Sequence, residues 1–328
     1  MRDRVVAGVR RYPSVTVSAK GGAMTDTTDL RWQESSALDP AVVRGAWRAA
    51  EPLHGLIYFA PEAHQRYAAL GIDRRAGYFA SRAAAMGPVG PGPVVAGFFN
   101  FNPDLVARAL PAVWELVTPA AVLAARLEAA GAALRQALGE TVHSPQMREA
   151  AETARRAAEA ATAHPEGRPL FAAHATLPWP DEPHLVLWHA QTLLREFRGD
   201  GHVATLVIAG LTGLEALILH AASGEVPVDF LRRSRGWSDE QWEQTTDRLR
   251  ERGLITGDVP TLTDSGRAQR VWIEATTDRL ATPAYEVLGA DGCARLAELT
   301  RPMSRAVVAA GALNIDNAAG RDQPADHG

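Results

Sequence analysis

The stretch that decides the fold is residues 188–220, WHAQTLLREFRGDGHVATLVIAGLTGLEALILH. Its first part predicts a helix that ends near Phe197. The sequence Arg-Gly-Asp-Gly at 198–201 then predicts a tight turn, because glycine adopts backbone angles that other residues avoid and Asp200 stands where an N-cap is expected. A second helix is predicted to begin at His202.

This second helix is apolar nearly all round, since the clearly polar side chains between 203 and 219 are Thr205, Thr212 and Glu215. Such a helix lies in a core or crosses a membrane, and this run is short for a crossing and carries a carboxylate. We therefore expect a core helix and no membrane partner. The three polar residues share one narrow helix face. That face indicates either a ligand cavity or a Glu215 paired with an arginine of a neighbouring helix.

Three basic residues lie beside the predicted turn: Arg195, Arg198 and His202. A helix N-terminus presents free N–H groups and a partial positive charge, so this cluster is a candidate site for a carboxylate or a phosphate. The alternative is that Asp200 only caps the helix and the arginines pair with local acids.

Composition excludes several classes of protein. The chain has 328 residues, enough for two modest domains or one large one. Its net charge of −4 offers no general attraction to nucleic acid or anionic lipid. The single cysteine, Cys293, excludes an internal disulfide and a cysteine-based zinc site, as expected of a cytoplasmic protein. No motif predicts a metal or another cofactor.

Prolines and polar segments divide the chain into parts. Residues 1–23 are basic but lack the apolar core of a secretory signal. We expect a disordered extension over 1–30, an N-terminal helical half over 31–163, an irregular connector over 164–183, a C-terminal half over 184–312 and a disordered tail over 313–328.

Helix signals dominate the sequence. Aspartate, asparagine, threonine or serine precedes a proline at four predicted helix starts, namely Pro40, Pro103, Pro119 and Pro145. The best strand candidates, 94–101 and 259–262, are short. The predicted fold class is therefore mainly α.

Further candidate ligand-binding residues lie in the first half. His54 and Tyr58 are four residues apart, on one face of a predicted helix. Tyr78 and Arg82 have the same spacing, and Asn100 follows in an aromatic segment. These side chains suit a pocket, although aromatic residues at helical spacing also suit a core. The histidines lack a spacing such as His-Glu-x-x-His, so no metal is predicted.

The segment 237–267 resembles a known DNA-binding module. A helix that closes in Leu-x-x-Arg-Gly-Leu-Ile (249–255), a short loop, and Leu-Thr-x-x-Gly-Arg (262–267) before a long helix are similar to the winged-helix domain of MarR-type regulators. The resemblance covers about residues 214–280 and implies a recognition helix followed by a short β-hairpin wing.

Three further motifs resemble an uncharacterised actinobacterial family described as helix-turn-helix-like. They are His-x-x-x-Tyr-Phe-x-Pro-Glu at 54–62, Gly-Tyr-Phe-Ala-Ser-Arg at 77–82 and Leu-Leu-Arg-Glu-x-Arg-Gly-Asp-Gly-His at 193–202. This resemblance implies no activity. The first half repeats the order of a long helix, two shorter helices and a strand, so two winged-helix-like halves in one chain are an open alternative.

The predicted recognition helix carries an unusual charge for a DNA reader. Between 239 and 252 it has five acids against three arginines, whereas DNA affinity depends mainly on neutralising phosphates. The acids therefore disfavour DNA as a partner. The candidate DNA-binding residues are Arg232, Arg233, Arg235, Gln244 and Arg248.

Together these features predict a winged-helix-fold protein that binds a small, anionic, partly apolar ligand and acts as a regulator or sensor, with DNA binding that is degenerate or retained. The alternative is an enzyme on the same scaffold, with His54 or His202 as general base and an arginine as anion clamp. A monomer and a homodimer are both compatible with the sequence. The candidate ligand-binding residues are His54, Tyr58, Tyr78, Arg82, Asn100, Arg195, Arg198, His202 and Glu215.

Overall fold

The computed structural model describes residues 36–313 of the chain. The extension predicted over 1–30 and the predicted tail from 314 onward lie outside this range. Within it the protein contains fifteen α-helices and one antiparallel pair of two-residue strands. The mainly α fold class predicted from the helix signals is confirmed.

Nine of the described helices precede the long central one. They are α1 (Pro40–Gly55), α2 (Pro61–Ala69), α3 (Arg74–Ala83), α4 (Pro91–Phe98), α5 (Pro103–Ala107), α6 (Val113–Leu116), α7 (Pro119–Leu138), α8 (Pro145–Ala161) and α9 (Pro169–Ala175). All four predicted caps are confirmed, because each accepts a backbone N–H that the first turn of its helix leaves unpaired. These caps are Asp39 for α1, Asn102 for α5, Thr118 for α7 and Ser144 for α8.

The strand predicted over 94–101 is wrong, because this segment forms α4 and a turn. Gly90 and Pro91 start the helix, and the buried Val94 and Phe98 lie four residues apart on its inner face. Periodicity alone cannot assign a short apolar run to a strand or a helix. The described part of the first half therefore contains no strand, and its order of elements differs from that of the C-terminal part.

Helix α10 (Pro183–Ile208) runs straight through the turn predicted at 198–201, so that prediction is wrong. Gly201 serves close packing instead, since a Cβ at this position would lie only 3.3 Å from the Cβ of Leu280. Asp200 does not cap its own helix. Its carboxylate accepts the backbone N–H of Phe171 at 2.9 Å. Phe171 belongs to α9, a helix inside the stretch predicted as an irregular connector.

A second set of elements follows α10 after a bend of 99°. These are α11 (Gly213–Ala222), α12 (Val228–Arg235), α13 (Asp239–Glu251), β1 (Ile255–Thr256), β2 (Thr261–Leu262), α14 (Asp264–Ala281) and α15 (Gly289–Ala309). In the hairpin, Ile255 pairs with Leu262 and Thr256 pairs with Thr261. The strand predicted over 259–262 is thus confirmed for its last two residues.

Two hydrophobic cores hold these elements together. The first core gathers side chains from α1 to α10 and from α15, for example Leu53, Phe79 and Leu193. The second core gathers side chains from α11 to α14, the hairpin and the end of α10, for example Leu206 and Trp242. Helix α1 packs along α15, and α10 packs against α8, α9 and α14. Helix α10 therefore contributes to both cores and links them.

No single helix in the described range is long and apolar enough to cross a membrane. The bent pair of α10 and α11 meets the same criteria of length and composition when the two helices are taken together. Both helices carry buried side chains, such as Phe197 in the first core and Ile218 in the second.

Candidate ligand cavity beside a helix-turn-helix

A cavity of about 430 Å³ lies where the two cores meet. Its walls come from α1, α3, residues 97–101, α10, α11, α14 and the last residue of α12. Aromatic and leucine side chains supply apolar surface, while seven arginines and five acids supply charge, so the lining carries a positive surplus. The charged residues are Arg44, Arg48, Arg82, Arg195, Arg198, Arg235 and Arg270, with Glu51, Glu196, Asp200, Glu225 and Glu274.

A buried carboxylate lies between two guanidinium groups on the α3 side of the cavity. Nη2 of Arg82 lies 3.2 Å from Oε2 of Glu196, and Nη1 of Arg195 lies 3.2 Å from Oε1. Burial alone would raise the pKa of Glu196, but the two arginines lower it to about 2. Burial likewise opposes the charge of Arg82, yet Glu196 raises the pKa of Arg82 above its usual value. This cluster is a tightly balanced structural unit.

A second ion cluster closes the wall between α1, α10 and α14. Arg44 and Arg198 both contact Glu274, at 2.9 and 3.2 Å, and both contact Asp278, at 2.6 and 3.0 Å. The guanidinium of Arg198 also lies 4.1 Å from the ring centroid of Trp47. These contacts hold three helices around the cavity and neutralise both arginines.

Arg235, on the α12 side, has a different environment. Its Nη1 donates to Ser234 Oγ at 2.8 Å, and its buried Nε has no hydrogen-bond partner in the described structure. Its guanidinium lies 4.7 Å from the centroid of Phe101 and 5.7 Å from that of Phe230. Burial lowers the pKa of Arg235, as expected of a cation without a counter-charge.

Most of the predicted ligand-binding residues lie around the cavity, but three do not line it. Tyr78, Arg82, Asn100, Arg195, Arg198 and His202 line the cavity, whereas His54, Tyr58 and Glu215 do not.

His54 and Tyr58 lie behind the cavity wall. His54 is fully buried, with Nδ1 3.1 Å from Thr192 Oγ1 and Nε2 2.9 Å from the Tyr58 hydroxyl. Burial, followed by the nearby arginines, lowers the pKa of His54 well below its usual value. The ring of Tyr58 lies 5.2 Å from the guanidinium of Arg195. The pair therefore supports the cavity wall from inside the first core.

His202 reaches the cavity but is held by α14. Its Nδ1 lies 3.0 Å from Thr277 Oγ1, and burial lowers its pKa to about 4. A base with so low a pKa takes up protons poorly near neutral pH. Nowhere in residues 36–313 do three or more histidine, cysteine, aspartate or glutamate side chains cluster as a metal site would require.

Of the two alternatives predicted for Glu215, a ligand cavity or an ion pair with an arginine, the structure has the ion pair. It pairs with Arg252 of the segment after α13, Nη1 to Oε1 at 2.8 Å. It also accepts from the backbone N–H and the hydroxyl of Thr212, at 2.7 and 2.9 Å, and so completes the capping box of α11. The carboxylate is therefore satisfied away from the cavity.

Several cavity residues were not found by sequence reasoning. Arg44 and Glu274 close one wall, and Arg270 contacts Glu225 at 3.2 Å. No motif marks these residues. The signal that could have found part of this wall is the spacing of Arg44, Arg48 and Glu51, which are four and three residues apart along one face of α1.

A helix-turn-helix borders the cavity. Helix α12 ends at Arg235, Gly236 adopts a left-handed conformation with φ 77°, and α13 begins at Asp239 after the capping residue Ser238. A three-residue turn with a glycine is typical of this motif. The hairpin and α14 follow.

The exposed surface of α13 is dominated by acids. Its five acids, at 239, 240, 243, 247 and 251, are all exposed. Of the candidate DNA-binding residues, Arg232 contacts Asp239 at 2.6 Å, Gln244 bonds to Glu240 and Arg248 bonds to Thr245. Arg233 is exposed and, within the described chain, unpaired. Arg235 faces the cavity.

Comparison with known proteins assigns the chain to a family. No curated protein and no solved structure matches it. The profile of a family described as a helix-turn-helix family matches residues 43–314, which include all the residues that line the cavity. The chain therefore belongs to this helix-turn-helix family.

Proposed function

We propose that the protein binds a small anionic ligand with an apolar part in this cavity and acts as a sensor or regulator through its helix-turn-helix. The observation that supports the proposal is the cavity, where arginine side chains and aromatic rings surround about 430 Å³. Ligand pockets usually measure roughly 300–1,000 Å³ and combine apolar walls with a few polar groups that orient the ligand.

The position of the cavity supports a regulatory role. The first helix of the helix-turn-helix ends in its wall, at Arg235, while other parts of the wall belong to α1 and α3 of the first core. A ligand that contacts both walls favours one arrangement of the helix-turn-helix over others, and its differential affinity sets the size of that effect.

The order of elements supports a winged-helix arrangement similar to that of MarR-type regulators. Helices α11, α12 and α13 are followed by the β1–β2 hairpin and then by α14. In this proposal α13 is the recognition helix and the hairpin is the wing.

The test of ligand binding is equilibrium dialysis of the full chain against a mixture of aromatic and aliphatic carboxylates, phosphate monoesters and matched neutral alcohols, read by mass spectrometry. We expect the protein to retain anions and not their neutral counterparts. Gly97→Leu should abolish retention, because Gly97 lines the cavity and a Cβ there meets no atom within 4 Å. Gly92→Leu is the control on the same helix, outside the lining. Retention of nothing, or equal retention by Gly97→Leu, would contradict the proposal.

Sequence-specific DNA binding is the second candidate, favoured by family membership and by the helix-turn-helix itself. The acidic surface of α13 predicts weak binding, because phosphate contacts supply most of the affinity for DNA. Fluorescence polarisation with random and own-promoter duplexes over a salt series tests it. Tight, salt-sensitive binding to the promoter that Arg248→Ala weakens would establish a DNA-binding regulator. Absence of binding at low salt would leave ligand sensing without DNA.

A further inference from the structure

Among the arginines that line the cavity, Arg235 is the one that is not exposed and has no acidic partner in the described chain. The acids of the lining are already occupied: Glu51 and Glu196 by Arg195, Glu274 by Arg198, and Glu225 by Arg270. The fifth acid, Asp200, accepts the N–H of Phe171, and burial raises its pKa to about 6. Arg48 also lacks an acidic partner in the described range, but it is exposed and water can solvate its charge.

The surroundings of Arg235 are suited to an amphipathic anion. Its guanidinium lies among the rings of Phe101 and Phe230, and its Nε is buried without a partner. A largely buried cation without an acidic partner is costly, and a single bound negative charge would lower that cost. A guanidinium binds a carboxylate through a planar pair of N–H donors. One unbalanced positive charge matches a monoanion better than a dianion.

The segment 99–102 connects this part of the cavity to the helix-turn-helix. Residues 99–101 line the cavity. The backbone N–H of Asn102 donates to the carbonyl of Arg235 at 3.0 Å, and the indole of Trp237 donates to the carbonyl of Asn100 at 3.0 Å. The side-chain amide of Asn102 also reaches Gln241 in the first turn of α13, at 3.3 Å. The segment thus contacts the end of α12, the turn and the start of α13.

The same segment is conformationally strained and tightly packed. Phe99 has φ 60° and ψ −48°, and the N–H of Asn100 donates to the carbonyl of Phe98 at 2.7 Å, which together form a γ-turn of the rare type. A Cβ on Gly213 would lie 2.0 Å from the carbonyl oxygen of Phe99, and one on Gly236 would lie 2.9 Å from Leu105. Because the packing is this tight, a displacement of residues 99–102 at the cavity wall would also displace the neighbouring helices.

We infer that Arg235 binds the carboxylate of a small monoanion with an apolar tail, and that the bound carboxylate holds the turn between α12 and α13 in place through residues 99–102. The inference deepens the proposed function and rests on it, since it names the ligand class and the way in which the cavity regulates the helix-turn-helix.

The experiment uses phenylpropionate and its neutral analogue phenylpropanol as probes of the full chain. Thermal unfolding measures binding, and hydrogen–deuterium exchange measures protection of residues 228–245. We expect phenylpropionate, but not phenylpropanol, to raise Tm and to slow exchange in this segment. Arg235→Met should weaken phenylpropionate binding about tenfold or more, the usual effect of losing a charge-assisted hydrogen bond. Arg233→Met, on the exposed side of the same helix, is the matched control for ligand binding and should bind phenylpropionate with the affinity of wild type.

A second experiment tests the same inference without a soluble ligand. Gly97→Glu places a tethered carboxylate in the cavity, and Gly97→Gln places a neutral side chain of the same size there. We expect Gly97→Glu to raise Tm and to slow exchange at 228–245 relative to Gly97→Gln, and we expect Arg235→Met to abolish the difference.

The outcomes separate the inference from the proposed function. Phenylpropionate that binds wild type and Arg235→Met equally would overturn the assignment of Arg235 and leave the cavity as a ligand site. Binding that depends on Arg235 without protection of 228–245 would overturn the coupling to the helix-turn-helix. If neither the probe nor the tethered carboxylate has an effect, the inference is overturned, while the dialysis experiment with Gly97→Leu decides independently whether the cavity binds any ligand.

Discussion

The two sides of the cavity balance their charges in different ways. On the side of the first core, Glu196 is 2% exposed and lies within 3.2 Å of both Arg82 and Arg195. On the side of the helix-turn-helix, Arg235 is surrounded by aromatic rings and has no carboxylate partner in residues 36–313. In the first arrangement the charged groups pair with one another, whereas in our proposal a bound anion supplies the charge partner of the second. The comparison teaches that arginines lining one cavity can differ in whether the fold itself supplies their counter-charge.

The largest expected loss of stability comes from removing an arginine that pairs with Glu196. Arg82→Met removes one of the two cations beside Glu196 and should lower the free energy of unfolding by about 3 kcal/mol, the lower end of the range for breaking a buried ion pair because Arg195 remains. Urea denaturation measures it. Arg66→Met, which removes an exposed contact with Glu128, is the control and should cost less than about 1 kcal/mol. Equal losses in both variants would show that burial does not distinguish these pairs.

The second expected loss of stability follows from a buried histidine of the first half, His174. Burial, followed by Arg126, lowers the pKa of His174 to about 3. The unfolded chain takes up this proton below about pH 6.5 and the folded chain does not, so stability is lost as the pH falls. For His174 alone the loss between pH 6.5 and 5 should be about 2 kcal/mol. His174→Gln should flatten the slope by that amount, whereas the exposed His164→Gln should not; an unchanged slope in His174→Gln would contradict the account.

A smaller loss of stability is expected from the capping box of α11, a helix of the second core. Thr212→Ala removes the hydroxyl that accepts the N–H of Glu215 and should cost about 1 kcal/mol in thermal or urea unfolding. Thr212→Ser keeps the hydroxyl and should retain most of the stability. If the alanine and serine variants are equally stable, the capping box does not hold α11.

The smallest expected change in the free energy of unfolding is that of Arg235→Met, which contrasts directly with Arg82→Met. Without ligand, Arg235→Met should leave the free energy of unfolding within about 0.5 kcal/mol of wild type or raise it, because no carboxylate loses a partner and methionine packs well against aromatic rings. The measurement is urea denaturation beside Arg82→Met. A loss as large as that of Arg82→Met would mean that Arg235 serves the fold and not a ligand.

Local signals in the sequence predicted local structure well. The caps before Pro40, Pro103, Pro119 and Pro145 start their helices as expected, because a cap and its helix are adjacent in the chain. The hairpin, which the resemblance of 249–267 to a winged-helix domain implies, is present as β1 and β2.

Features that depend on distant contacts were missed or misread. Gly201 suggested a turn, but it permits the close crossing of α10 with Leu280. The apolar run at 94–101 suggested a strand, but it forms α4 and the γ-turn at Phe99, which packs closely against the distant Gly213. The sequence predicts Arg235 as a DNA-binding residue, but sequence position cannot show that its side chain lines a cavity built by seven separate segments.

The most direct measurement is a crystal structure of the full chain with a bromine-labelled phenylpropionate, located by anomalous scattering. The account predicts bromine among the aromatic side chains of the cavity and a carboxylate oxygen about 3 Å from the guanidinium of Arg235. Bromine outside the cavity, or a carboxylate bound by Arg48 at the rim with Arg235 unchanged, would contradict the central claim that Arg235 holds the anion of a ligand.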